Sequence, residues 1–233
     1  MPKLKRLELG YNRPEDIIPF ISDIRLPRLD NLTIEDIGRR YFPYSPSARE
    51  VETVRLLLDN IDEHFPLHQV EHLNLRQVIL ERSPPRSTSV DLTSTPFKFF
   101  CKLVALKSLT LADPDIRILN LLNYIPLVPG DGDRTNVSHP VPVPALDVLR
   151  LEKFDRDRRR IQMFLSTRIR RHSFLRRLNK LIFSELERCM AEEKTRSWTK
   201  NICQFLDMRL LTKSFEYVDP ATDSKFSFCD SFE

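Results

Sequence analysis

The sequence predicts an α/β fold, a curved solenoid whose strands make a parallel sheet and whose helices lie on the convex side. Three observations predict it. A short apolar phrase recurs along the chain, amphipathic helical segments lie between its copies, and two Pro/Ser/Thr-rich inserts account for its longest gaps.

The phrase is apolar-x-x-apolar-x-apolar. It occurs at Leu4/Leu7/Leu9, Leu29/Leu32/Ile34, Val51/Val54/Leu56, Val70/Leu73/Leu75, Leu106/Leu109/Leu111, Leu146/Leu149/Leu151 and Leu178/Leu181/Phe183. Its starts are separated by 25, 22, 19, 36, 40 and 32 residues. In a chain this rich in aliphatic residues the bare phrase is weak. The longer phrase Pro-x-Leu-x-x-Leu-x-(Leu/Ile) is specific: residue frequencies allow about 0.1 copies, and three occur, PKLKRLEL, PRLDNLTI and PALDVLRL.

Strand geometry explains the phrase. Alternate side chains face opposite sides, so Leu7 and Leu9 point inward while Glu8 points outward. The leading apolar residue anchors the turn into the strand. The proline two positions before it stiffens that turn without disturbing ladder hydrogen bonds. One such unit cannot bury its own apolar face, whereas stacked units can, as in a leucine-rich repeat.

Helices are expected between the strands. In RPEDIIPFISDIRLP, Ile17, Ile18, Ile21 and Ile24 have helical spacing, and Glu15 and Asp16 sit at the positive end of the dipole. Pro19 fits that helix only in its first turn. TPFKFFCKLVAL reads as a short apolar helix. In DPDIRILNLLNYIP, Asp113 is an N-cap candidate, Ile116, Leu119, Leu122 and Ile125 form the buried stripe, and Pro126 stops it. FDRDRRRIQMFLSTRIRRHSFLRRL carries Ile161, Phe164, Leu165 and Ile169 on one face. The inserts 82–96 and 126–144 read as surface loops. The repeat domain is expected to span 1–187. Residues 188–233 are read as a capping helix (Ala191 to Leu211) and a polar tail, with KSFEY at 213–217 as a candidate edge strand.

Composition bounds the function. The chain has 233 residues, 41% of them hydrophobic, enough for a core without metal or disulfide support. Only 4 glycines are present, few for an enzyme built on phosphate-cradling loops. The cysteines Cys101, Cys189, Cys203 and Cys229 are scattered, as expected of buried or free thiols in a reducing compartment. The N-terminal residues show no signal-peptide pattern, and no apolar run approaches the roughly 18 residues of a membrane span. A cytoplasmic or nuclear protein is expected. The net charge of +4 selects no partner class.

The phrases PKLKRLELG, LPRLDNLTIED, FPLHQVEHLNL, LVALKSLTLAD and VPALDVLRLEKF resemble the degenerate leucine-rich repeats of fungal F-box proteins, especially those numerous in mushrooms. The resemblance covers roughly residues 2–187. It implies the substrate-recognition part of a ubiquitin-ligase receptor, whose repeats recruit a target protein. The chain departs from that family in one respect, because no F-box of 40–50 residues precedes the first phrase. Binding to a Skp-type adaptor is therefore expected only if an F-box lies upstream.

No catalytic or cofactor motif is found, and the chain is read as a binding module, not an enzyme. His64, His68 and His72 have a metal-like spacing, but Pro66 interrupts any helix and His72 belongs to a strand phrase, so no metal site is expected. There is no G-x-S-x-G elbow, and the Gly-x-Gly of PGDGDR lacks the Lys-Ser/Thr of a phosphate loop. The Arg-rich segment 156–177 offers an alternative, binding nucleic acid or an anionic surface. A solvated helix face explains it more simply, because no aromatic interleaving suited to single-strand stacking accompanies the arginines. The expected partner-binding residues are the outward strand positions: Arg6, Glu8, Asn31, Thr33, Thr53, Arg55, His72, Asn74, Ser108, Thr110, Arg150 and Lys180, with Val148 and Ile182 completing the row. The two inserts are the other candidate recognition elements.

Overall fold

The computed structural model describes residues 4–41, 48–80, 92–112, 117–122, 141–152, 178–184, 214–219 and 224–229. Eight strands form one sheet in chain order: β1 (Arg6–Tyr11), β2 (Asn31–Asp36), β3 (His72–Arg76), β4 (Ser108–Ala112), β5 (Val148–Glu152), β6 (Lys180–Ser184), β7 (Ser214–Asp219) and β8 (Ser224–Cys229). Neighbours from β1 to β7 are parallel, and β8 returns antiparallel to β7. Helix α1 (Pro14–Asp23) joins β1 to β2. Helices α2 (Ile37–Tyr41) and α3 (Ala48–His64) and a short 3-10 turn (Leu67–Gln69) join β2 to β3. Helix α4 (Thr95–Lys102) precedes β4, and α5 (Arg117–Leu122) follows it. The class is α/β with a parallel sheet, as the sequence predicts.

Each strand from β1 to β6 is the second half of the repeated phrase, and the register stacks equivalent positions. Leu7, Leu32, Leu73, Leu109, Leu149 and Leu181 form one continuous row; Leu9, Ile34, Leu75, Leu111 and Leu151 form the next. All eleven are buried in a single core. Ile21 from α1, Leu57, Leu58 and Ile61 from α3, Phe97 and Phe100 from α4, and Leu119 and Leu122 from α5 close the same core. The helices thus cover the face to which the leucines point.

The turn before β3, β4 and β5 also repeats. The N–H groups of Val70, Leu106 and Leu146 donate to the carbonyls of Leu67, Leu103 and Val143, at 3.1, 3.2 and 3.2 Å. Both ends of each turn are buried, as are Leu26 and Leu29 before β2. The phrase therefore has a fourth apolar position, three residues ahead of the first. One carbonyl per unit then serves the next unit twice. Lys5 accepts from the N–H groups of Asp30 and Asn31, Asp30 from Glu71 and His72, Glu71 from Lys107 and Ser108, Lys107 from Asp147 and Val148, and Asp147 from Asn179 and Lys180. Side chains at this position reinforce the link: Lys5 pairs with Asp30 at 3.3 Å, Lys107 with Glu71 at 2.6 Å, and Asn179 donates to Asp147.

The third phrase is corrected. Val51, Val54 and Leu56 lie inside α3, not in a strand. Val51 and Val54 are buried but Leu56 is half exposed, and Leu57, Leu58 and Ile61 continue the buried stripe. A 3.6-residue period therefore governs the segment, and Arg49 stands where the specific phrase has its proline, two residues before the leading position. Without it, successive equivalent positions from Leu7 to Phe215 are 25, 41, 36, 40, 32 and 34 residues apart.

Two further expectations change. Pro19 is in the middle of α1 rather than in its first turn. It is exposed, so water can serve the carbonyl of Glu15 that lacks an N–H partner. The sheet also runs past residue 187: KSFEY contributes to β7, and part of the expected polar tail forms β8. Of the insert 82–96, Thr95 and Pro96 belong to α4. Residues 82–91 and 126–140, Asp113, Ile116, Ile125 and the segments expected to be helical at 156–177 and 191–211 lie outside the described residues.

Candidate functional site

Period-two alternation gives the sheet a second face, to which none of the leucines point. Parallel sheets are ordinarily covered on both faces and read as unbroken apolar runs. Here the alternate positions are mostly polar, and they stay exposed or half-buried in nearly every case. The register sorts them into three rows. The first is Arg6, Asn31, His72, Ser108, Val148 and Lys180; the second is Glu8, Thr33, Asn74, Thr110, Arg150 and Ile182. Six strands at about 4.8 Å each make these rows roughly 24 Å long.

Ten of the twelve residues expected to bind a partner thus lie together on one surface, joined by Val148 and Ile182. Thr53 and Arg55 do not. They sit on α3, where Thr53 Oγ1 donates to the carbonyl of Arg49 at 2.7 Å and Arg55 pairs with Glu52 at 3.5 Å. Their exclusion follows from the helical identity of residues 51–56. The three histidines are likewise distributed over three elements: His64 ends α3, His68 is in the 3-10 turn and His72 begins β3. No group of three or more metal-ligating side chains occurs among the described residues.

A third row was not anticipated: Gly10, Glu35, Arg76, Ala112 and Glu152. It was legible, because it only extends the same alternation by two residues. It gives the face its electrostatic character. Arg76 pairs with Glu35 across strands at 3.8 Å, and Arg150 pairs with Glu152 at 2.7 Å; Arg6 pairs with Glu8. Each of these arginines is thereby balanced by a carboxylate on the same surface. Between the charged pairs, Asn31, Thr33, His72, Asn74, Ser108 and Thr110 form a field of small hydrogen-bonding side chains.

One rim of the site is built by α2. Asp36 caps this helix, its Oδ1 accepting from the Arg39 N–H at 3.0 Å. Burial pushes the Asp36 carboxyl up from its ordinary value, against the lowering effects of the Arg39 hydrogen bond and charge; Glu50 adds to the rise. Arg39 reaches on to donate to the carbonyl of Gln77 at 3.1 Å. Gln77 has a φ of 58°, and its N–H donates to Ala112 at 2.8 Å, which turns the chain sharply after β3. A Cβ on Gly10 would lie 2.5 Å from Ile37 Cδ1 and 3.2 Å from its Cγ1, so the Ile37 side chain of α2 fills the space beside this glycine. Asp36, Arg39 and Glu50 line a small cleft with Asn12, Pro14, Val51, Val54 and Ile79. Asp36 is committed to the cap and Arg39 to Gln77.

Among the described residues, no helix is long and apolar enough to cross a membrane. Comparison of the chain with known protein families, with curated proteins and with solved structures finds no match in any of the three.

Proposed function

We propose that this chain is a leucine-rich-repeat solenoid that binds another protein through the open face of its sheet, without catalysis. The observation that carries the reading is the in-register polar surface, two rows crossing six strands on a backing of stacked leucines. A rigid surface of this kind suits an extended partner, since its side chains are held in position before binding. The charge pattern favours protein over nucleic acid. A phosphate-binding face needs cations free to replace counterions, whereas Arg6, Arg76 and Arg150 are already paired. In line with the resemblance to fungal F-box proteins, the bound protein is a target for ubiquitin transfer, and a Skp-type adaptor joins only where an F-box is present.

The test is affinity purification of the full chain from cells of its source, with and without Asn74→Arg and Thr110→Arg. These substitutions place bulky cations in the neutral centre of the face. A discrete protein partner retained by wild type and by Thr53→Arg, but lost from both sheet variants, supports the reading. Retention by the sheet variants with loss from Thr53→Arg refutes it.

A further inference from the structure

The first unit of the sheet ends differently from the junctions inside it. Strand β1 has a hydrogen-bonded neighbour on one side only among the described residues. From β2 to β6, the two N–H groups opening the strand donate to a carbonyl of the preceding unit, yet no described residue supplies such a carbonyl to Lys5 and Arg6. The flank of α1 is equally uncovered. Ser22 faces α3, with its Oγ 3.5 Å from Asn60 Oδ1. At about 100° per residue, Phe20 and Ile17 fall on the opposite side of the helix, and Ile24 follows as its C-cap. Phe20 is 54% exposed, and Ile17 and Ile24 are only partly buried. Leu4 is 38% exposed, whereas its counterparts Leu29, Val70, Leu106, Leu146 and Leu178 are at most 1% exposed.

We infer that this end of the sheet is a homodimer interface, in which β1 pairs antiparallel with β1 of a second copy across a two-fold axis. The choice of a second copy rests on charge. In the register centred on Leu7, each Arg6 lies opposite the partner's Glu8, and the two-fold makes that pair twice. Centring on Glu8 would oppose like charges, which disfavours that register. Arg6 and Glu8 are exposed and already within reach of one another, so little rearrangement is needed. A two-fold perpendicular to the sheet keeps the helices on one side. It therefore brings the Phe20, Ile17 and Ile24 flanks of the two α1 helices together, covering the apolar surface that every internal junction buries. The edge amides of β1 gain partners at the same time.

Sedimentation equilibrium of the full chain tests this. Wild type is expected to be a dimer at micromolar concentration. Glu8→Arg sets cations opposite one another and Phe20→Asp puts charge into the apolar flank; each is expected to raise the dissociation constant by about tenfold or more. The charge-exchanged Arg6→Glu/Glu8→Arg double variant is expected to restore the dimer. Both sites are exposed, so far-UV circular dichroism should match wild type in all variants. A wild-type monomer, or a dimer insensitive to both single substitutions, overturns the inference.

Discussion

Leu109 and Thr110 are adjacent in β4 but belong to opposite faces, so the same substitution at each isolates facing from every other variable. Leu109 is fully buried between Leu73 and Leu149; Thr110 is half-buried on the open face between Asn74 and Arg150. Leu109→Asp forfeits the burial of a leucine, about 1.5–3 kcal/mol. It also places a carboxylate in an apolar core, adding several kcal/mol whether the group ionises or takes up a proton. The sum, about 5 kcal/mol or more, rivals the whole stability of a typical domain. With a urea dependence of about 2.5 kcal/mol per molar, the unfolding midpoint should fall by about 2 M, or the chain should not fold. Thr110→Asp exchanges one polar side chain for another beside Arg150 and should change stability by no more than about 0.5 kcal/mol, a midpoint shift near 0.2 M. Urea titrations followed by circular dichroism measure both. Equal damage from the two substitutions would refute the assigned facing, and with it the binding surface.

Gly10→Val makes the Ile37 side chain rotate aside and should cost about 1 kcal/mol, with partial recovery in Gly10→Val/Ile37→Ala; thermal unfolding of the pair and both singles measures the coupling. Asp36 has a raised folded-state pKa, so its contribution to stability is fully present below the unfolded value of 3.8 and is lost as pH rises through the folded one. Asp36→Asn, which keeps an acceptor for the Arg39 N–H, should therefore gain stability relative to wild type as pH rises above 3.8, and a constant difference across that window would contradict the assignment. Burial pushes the Cys101 thiol up to about 11. In a Cys189→Ser/Cys203→Ser/Cys229→Ser background it should resist a thiol reagent at pH 8 until denaturant is added, and prompt labelling of the native chain would show the core open there.

Much of the fold was legible because one physical constraint wrote it repeatedly. Burying one side of a strand against helices requires period two, and stacking equivalent strands requires the same residues in each unit, so Leu32/Ile34 and Leu149/Leu151 announce themselves. The reading failed at Val51/Val54/Leu56, since a three-residue apolar spacing serves a helix equally well. Only the wider context separates them: Leu57, Leu58 and Ile61 extend the helical stripe, and the tight turn that opens β3, β4 and β5 is lacking. The error carried Thr53 and Arg55 into the candidate site. Strand β7 was suggested by KSFEY, but β8 was not, because SKFSFC is short and lacks the phrase, although Phe226 and Phe228 alternate with polar residues as in a strand. The rim at Asp36, Arg39 and Gln77 was invisible for another reason. Its Asp36 cap is local, but the contact of Arg39 with Gln77 joins residues 38 positions apart through a positive-φ turn, and no local pattern encodes such a contact.

The claim that the open face is the binding surface is tested most directly by photo-cross-linking along it. A photoreactive amino acid is placed at Thr33, Thr110 or Ile182 in the second row, and at Leu56 on the exposed side of α3, in the chain expressed in its source cells. The account predicts that the three sheet positions cross-link to the same protein and that Leu56 does not. Cross-links from Leu56 to that protein, with none from the sheet positions, would contradict it.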